Sequence, residues 1–249
     1  MTDIRCFDTM MHNRIAFRHL PRSQVGTSPA VVFLPGYMSD MAGSKATAVY
    51  EWCRDEGREC LLLDYAGCGQ SHGEFADQTL SEWTNDTLDL IEHVVAGPVV
   101  LVGSSMGGWL MLGAGQVLQE ADRLAGLVGI AAAPDFSDWG YSDEQKTLLR
   151  AGKTVFEANP YGPEPTPTHG RFWQDAQRQR VLGNRITLDC PVRLLHGELD
   201  ADVPSAIAFR LATALRSQDV QVTIVKGGDH RLSRDGDIAL LLHTLAWFK

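Results

Sequence analysis

Short apolar runs recur along this chain, separated by stretches in which apolar residues return every three or four positions. Residues 30–34, 60–64, 99–102, 124–130, 192–196 and 220–225 read as strands. They are too short for core helices, and most lack any polar face, the pattern of strands covered on both sides. Between them, Ala46, Val49, Trp52 and Cys53 fall at helical spacing, with Gly57 as a stop. Leu80, Trp83, Thr87, Ile91 and Val94 trace a second helical face, opened by the capping box Thr79-x-x-Glu82 and closed by Gly97-Pro98. Further helices are predicted over 105–118, over 205–215 and from Asp237 onward. Residues 5–10 and 14–19 form two more strands around a polar turn at His12-Asn13. With no helix between them, they predict an antiparallel edge on an otherwise parallel sheet.

The rhythm breaks over residues 134–189, which carry Pro160, Pro163, Pro165 and Pro167 together with Trp139, Phe156, Phe172 and Trp173. A structureless loop of that length is foreign to a compact domain. The expectation is one α/β domain over residues 1–249, interrupted by a small helical lid at about 134–189. Such an insertion lies over the C-terminal edge of the sheet, where open α/β sheets bind their ligands. Its aromatic residues either form the insertion's own small core or face a substrate.

Composition narrows the function classes. The 22 Lys plus Arg stand against 31 Asp plus Glu, a net charge of −9, which disfavours nucleic acid and anionic membrane surfaces as partners. No run approaches the ~18 apolar residues of a membrane span. The five cysteines are scattered with no C-x-x-C pair, which fits reduced thiols better than disulfides or a zinc site. Met1-Thr2-Asp3-Ile4-Arg5 shows neither a signal-peptide nor a transit-peptide pattern, so a cytoplasmic protein is expected. Neither a cofactor nor a metal is called for.

The chemistry is concentrated where the strand at 99–102 runs into Gly103-Ser104-Ser105-Met106-Gly107 and then directly into an apolar helix. G-x-S-x-G in that setting is a nucleophile elbow, a sharp strand-to-helix turn that lifts a serine hydroxyl clear of its neighbours. Ser105 is the nucleophile it designates. Ser104 does not satisfy the motif, since Val102 and Met106 occupy its glycine positions. A second match, Gly69-Gln70-Ser71-His72-Gly73, is followed by polar Glu74-Phe75-Ala76-Asp77-Gln78 and no packing helix, so Ser71 reads as a turn residue.

A serine hydroxyl needs an adjacent base, itself oriented by an acid. The hydrolase order nucleophile, acid, histidine, each after a strand, selects His230 in Gly227-Gly228-Asp229-His230, between the last strand and the last helix. His196 ends a strand before Gly197 and reads as structural. The acid belongs to His196-Gly197-Glu198-Leu199-Asp200-Ala201-Asp202-Val203-Pro204. Asp200 is preferred there over Glu198, with Asp202 placed to cap the next helix. The oxyanion donors expected are the backbone N–H groups of Met106 and of Tyr37, in Leu34-Pro35-Gly36-Tyr37-Met38.

These motifs resemble α/β-hydrolase-fold serine hydrolases over essentially the whole chain. The finer pattern is similar to the branch of mitochondrial acyl-protein thioesterases that also cleave acyl-glucuronides. It rests on Leu34-Pro35-Gly36-Tyr37-Met38-Ser39, Asp64-Tyr65-x-Gly67-x-Gly69-x-Ser71, Gly103-Ser104-Ser105-Met106-Gly107-Gly108-Trp109-Leu110-Met111-Leu112, Cys190-Pro191-Val192-Arg193-Leu194-Leu195-His196-Gly197 and Asp229-His230-Arg231. The resemblance implies an esterase or thioesterase acting on a small-molecule or acylated-protein substrate; Trp109, Trp139, Phe172 and Trp173 are the side chains expected to face it. The competing readings are a serine peptidase of the same fold and a non-catalytic binding module.

Overall fold

The computed structural model describes residues 4–23, 28–160 and 162–248. Residues 1–3, part of the N-terminal stretch read above for a targeting signal, lie outside them. In chain order the elements are β1 (Arg5–Asp8), β2 (Arg14–Leu20), β3 (Ala30–Leu34), α1 (Ser44–Asp55), β4 (Cys60–Leu63) and α2 (Leu80–Val94). Next come β5 (Val99–Ser104), α3 (Gly107–Glu120) and β6 (Leu124–Ile130). The inserted segment supplies α4 (Phe136–Trp139), α5 (Asp143–Arg150), β7 (Val155–Glu157), β8 (Thr166–Thr168) and α6 (Gly170–Arg178). The chain then returns through β9 (Val192–Gly197), α7 (Ala206–Ala214), β10 (Val220–Val225) and α8 (Asp235–Ala246).

Eight strands form one sheet in the order β1-β2-β4-β3-β5-β6-β9-β10. Strand β2 is antiparallel to both β1 and β4, and the pairings from β4 to β10 are parallel, as the helix-free start of the chain predicts. Alternate side chains of the central strands feed two cores. Val32, Leu34, Leu61, Leu63, Val99 and Leu101 pack on one face against Trp83, Leu90 and Ile91 of α2 and Leu110 of α3. Val31, Phe33, Cys60, Leu62, Val100 and Val102 pack on the other against Val49 and Tyr50 of α1 and Leu241 and Leu245 of α8. Burial on both faces is why these strands carry no polar alternation.

Along the chain, β3 is followed by β4 on one side in space and, after α2, by β5 on the other. The reversal opens a crevice beyond the C-terminal ends of β3 and β5. Both the Gly36-Tyr37-Met38 loop and Ser105 emerge there.

The insertion differs from the helical lid expected. Besides its helices it contains an antiparallel ribbon, β7 with β8, which the Pro-rich sequence conceals because Pro167 sits in β8, opposite Phe156. A strand of a two-stranded ribbon is edge strand throughout, so a missing N–H is tolerated. Helix α6 is built into the main core through Phe172 and Ala176. Asp175 fixes it to α2, its Oδ2 and Oδ1 accepting from Ser81 N and Oγ at 2.9 Å each. Buried Asp135 closes the loop, accepting from Val181 N and Leu182 N at 2.8 Å each. Burial raises the Asp135 carboxyl, and these two amides oppose the shift.

Candidate active site

The elbow forms where the start of α3 lies too close to the ends of β3 and β5 for side chains. A Cβ on Gly107 would stand 2.1 Å from Leu34 O, and one on Gly103 would stand 2.4 Å from Gly107 O. Gly107→Ala should therefore abolish soluble folded protein or sharply lower its melting temperature, since only backbone could yield. The turn leaves Ser105 with φ 53, a left-handed conformation that costs an L-residue about 1–2 kcal/mol. Backbone bonds hold it there: Ser105 N donates to Ile130 O at 2.9 Å, while Ser105 O accepts from Gly108 N at 2.9 Å and Ala133 N at 3.0 Å. Strained backbone of this kind gathers at functional sites.

Three residues far apart in sequence meet at this turn. Ser105 Oγ lies 3.1 Å from His230 Nε2, and His230 Nδ1 lies 2.9 Å from Asp200 Oδ2. With Nδ1–H donating to the carboxylate, Nε2 is left to accept from the serine hydroxyl. The Asp200 side chain is 1% exposed and that of His230 15%. Asp200 Oδ1 accepts from Asp202 N at 3.0 Å and Val203 N at 2.8 Å. Burial pushes the Asp200 carboxyl upward, but its bond to His230, the imidazole's charge, the Val203 amide and His196 together hold it below the usual range.

Glu198, the other acid considered, points elsewhere. It forms an ion pair with Lys226 and accepts from Gly227 N at 3.0 Å. His196 is wholly buried; its Nε2 lies 2.8 Å from Val203 O and 3.3 Å from Asp200 Oδ2, which supports the acid's loop from below. Asp200, Asp202 and His230 also present ligand atoms within 4.8 Å of one another, a spacing a cation could use. The Asp200 oxygens are already occupied by two amides and an imidazole.

The second G-x-S-x-G is a structural knot. Ser71 Oγ donates to Asp64 O and accepts from Ala16 N, at 2.7 Å each, tying the loop after β4 to β2. Buried Asp64 accepts from Met41 N at 2.7 Å and Gln70 N at 2.8 Å.

On the oxyanion side, a Cβ on Gly36 would stand 3.4 Å from Ser105 Cβ, so the loop after β3 lies directly against the elbow. The amides of Tyr37 and Met106 have no hydrogen-bond partner among the described residues. A cavity of about 720 Å³ opens in front of Ser105 and His230, within the range of roughly 300–1,000 Å³ usual for small-molecule sites. Tyr37, Met106, Ala133, Phe136, Trp139, Tyr141 and Val203 line it toward the insertion. Ser39, Asp40, Lys45, Arg231 and Ser233 line it toward the histidine loop. Burial and the nearby Arg231 charge lower the Lys45 ammonium to about 8, and Lys45 donates to the Arg231 carbonyl.

The structure corrects most of the substrate wall expected from sequence. Trp139 lines the cavity, but Trp109, Phe172 and Trp173 do not. Trp109 is buried with Nε1 donating to Gln179 O at 3.1 Å, and Trp173 is buried with Nε1 donating to Ser137 O at 2.7 Å. Phe172 packs within the main core, and Phe156 is 64% exposed outside the cavity. Sequence reasoning missed Phe136 and Tyr141. Their signal was position, in the segment that follows β6 at the edge of the crevice.

Comparison with known proteins agrees with this fold. Residues 31–239 match the model of the "Alpha/beta hydrolase family". The mouse "Palmitoyl-protein thioesterase ABHD10, mitochondrial" is 38% identical over 226 residues, covering 88% of this chain and 75% of the relative. Among solved structures, a putative hydrolase from Agrobacterium vitis superposes with a TM-score of 0.93 at 32% identity, covering 100% of both chains. The mouse alpha/beta hydrolase domain-containing protein 10 superposes with 0.88 at 34% identity, covering 98% of this chain and 97% of that one. The cytoplasmic location expected from the N-terminus is overturned by the palmitoyl-protein thioesterase relatives, which are named as mitochondrial. No helix among the described residues is long and apolar enough to cross a membrane.

Proposed function

The chain belongs to the alpha/beta hydrolase family, and from that premise we propose that Ser105, His230 and Asp200 form its catalytic triad, with the amides of Tyr37 and Met106 as oxyanion hole. The chain is an enzyme that hydrolyses carboxylic esters or thioesters. The observation that carries the residue assignment is the continuous relay Ser105 Oγ, His230 Nε2, His230 Nδ1, Asp200 Oδ2, with links of 3.1 and 2.9 Å.

Ser105 Oγ attacks the acyl carbonyl as His230 Nε2 takes its proton. The carbonyl oxygen becomes an oxyanion facing the two amides, each such donor being worth about 3 kcal/mol in the transition state. Collapse expels a thiol or alcohol that receives the proton from Nε2, leaving an acyl-enzyme. Water attacks the ester in turn, again with His230 as base, and Ser105 is released with the carboxylic acid. Asp200 holds Nδ1–H in place and stabilises the imidazolium formed in each half.

Residues 134–189 act as the lid of a single α/β-hydrolase domain and set acyl selectivity through Phe136, Trp139 and Tyr141. An S-palmitoylated protein is the substrate class suggested by the relatives' names. Turnover of an acyl series from two to sixteen carbons, as p-nitrophenyl esters and as thioesters, tests this reading. Each buried methylene contributes up to about 0.8 kcal/mol, so kcat/KM should climb with chain length until the cavity is full. Trp139→Ala should shift that profile, whereas Trp173→Ala should lower the melting temperature and leave the profile in place. A flat profile in the wild type, unchanged by Trp139→Ala, removes the lid from acyl recognition.

A further inference from the structure

Tyr37 occupies two structures at once. Its backbone follows β3 against the elbow, while its side chain runs into the insertion. The phenol OH donates to Pro167 O of β8 at 3.0 Å, across 130 residues of sequence. The ring sits among four others: Phe75 at 5.1 Å and Trp83 at 6.3 Å from the hydrolase body, Phe136 at 6.0 Å and Phe172 at 5.1 Å from the insertion. Next to Pro167, Thr168 is buried, its hydroxyl 2.8 Å from that of Tyr141. Strand β8 is thus held at two adjacent residues by tyrosine hydroxyls. On the other side of Tyr37, Met38 is left-handed with φ 54, and Ser39 N closes a tight turn onto Gly36 O at 3.1 Å. A short turn anchored at its ring leaves the Tyr37 peptide little freedom to rotate.

We propose that the Tyr37 phenol is a positioning residue: its bond to the β8 carbonyl couples the insertion to the oxyanion hole and aims the Tyr37 amide at the reacting carbonyl. The inference rests on the oxyanion assignment made above and extends it to a side chain that touches no reacting atom. Burial raises the phenol well above its ordinary value, so it stays a neutral donor throughout the working range. An insertion seated on Tyr37 gives an aligned amide; one lifted from it releases the turn. The energetic reason is geometric, since an oxyanion donor counts only when it points at where charge develops.

Tyr37→Phe removes one hydroxyl and keeps the ring in its cage. The experiment measures kcat and KM on a short p-nitrophenyl ester, inhibition by an alkyl boronic acid whose adduct on serine mimics the tetrahedral intermediate, and melting temperature. The expected result is a fall in kcat of roughly 10- to 100-fold with KM within twofold. Boronic acid affinity should weaken in parallel, with little change in melting temperature. Tyr141→Phe, which loosens β8 at the adjacent Thr168, should also lower kcat, and the double variant should be no worse than Tyr37→Phe alone, because both act through one element. A Tyr37→Phe enzyme with wild-type kcat and boronate affinity overturns the coupling. So do losses that multiply in the double variant, or that affect KM and melting temperature with boronate affinity intact. If the boronic acid fails to inhibit the wild type, or Ser105→Ala retains activity, the triad assignment itself fails and the coupling falls with it.

Discussion

Ser105→Ala should abolish labelling by a fluorophosphonate and lower ester turnover by about a millionfold. Among the described residues, Ser105 has the one hydroxyl hydrogen-bonded to His230 Nε2. Ser104 is the last residue of β5 and mostly buried. The Ser71 hydroxyl is spent on Asp64 O and Ala16 N. Ser71→Ala is accordingly a stability variant: it leaves the Ala16 amide without a partner, at a cost of about 1–3 kcal/mol, while labelling persists. Intact-mass analysis after fluorophosphonate treatment, alongside thermal melting, separates the two matches to one motif. A labelled Ser105→Ala protein would contradict the triad assignment.

The second large effect is expected at the acid. Asp200→Asn preserves size but offers an NH₂ where a carboxylate accepted from Nδ1–H. The imidazole then favours the opposite tautomer, with a proton on Nε2 and no base for Ser105. The loss in kcat should be about 10⁴-fold. Glu198→Gln should cost only an exposed ion pair with Lys226, which contributes little to stability, and leave kcat near the wild type. A larger loss for Glu198→Gln would reassign the acid. The same pair also predicts a pH signature. Because the Asp200 carboxyl is held below its unfolded value, its contribution to stability is present above the ordinary carboxylate range and disappears as pH falls through the lowered value. Urea titrations at several acidic pH values should show Asp200→Asn losing less stability on acidification than the wild type.

Much of this was legible along the chain. Strands 30–34, 124–130 and 220–225 and helix 80–94 appear with the boundaries that periodicity and capping predict. Burial on both faces leaves an unbroken apolar run in β3, the edge strand β10 alternates apolar and polar residues, and a Thr79 cap marks a helix start, so these features are local. The three residues brought together at the elbow were equally readable, because a motif in strand–turn–helix context and two loops after strands specify an address. Local rules fail in the insertion. There Phe172 and Trp173, like Trp109 in α3, look in sequence like a substrate wall, yet their rings pack inside the fold, while Phe136 and Tyr141 line the cavity.

What the sequence determined by itself is therefore the strands and helices of the main sheet, their parallel run beyond an antiparallel edge, and the address of the residues gathered at the sheet edge, because each follows from interactions within a few residues or from the two faces of a strand. What only the tertiary structure decided is which side chains of the insertion turn inward, that Pro167 lies in a ribbon, and that Tyr37 reaches across 130 residues to hold it. Those outcomes depend on α6 being drawn into the main core and on clasps such as Asp135 to Val181 and Leu182. An aromatic residue is equally apolar whether it fills a core or faces a ligand, and only the packing of distant segments distinguishes the two.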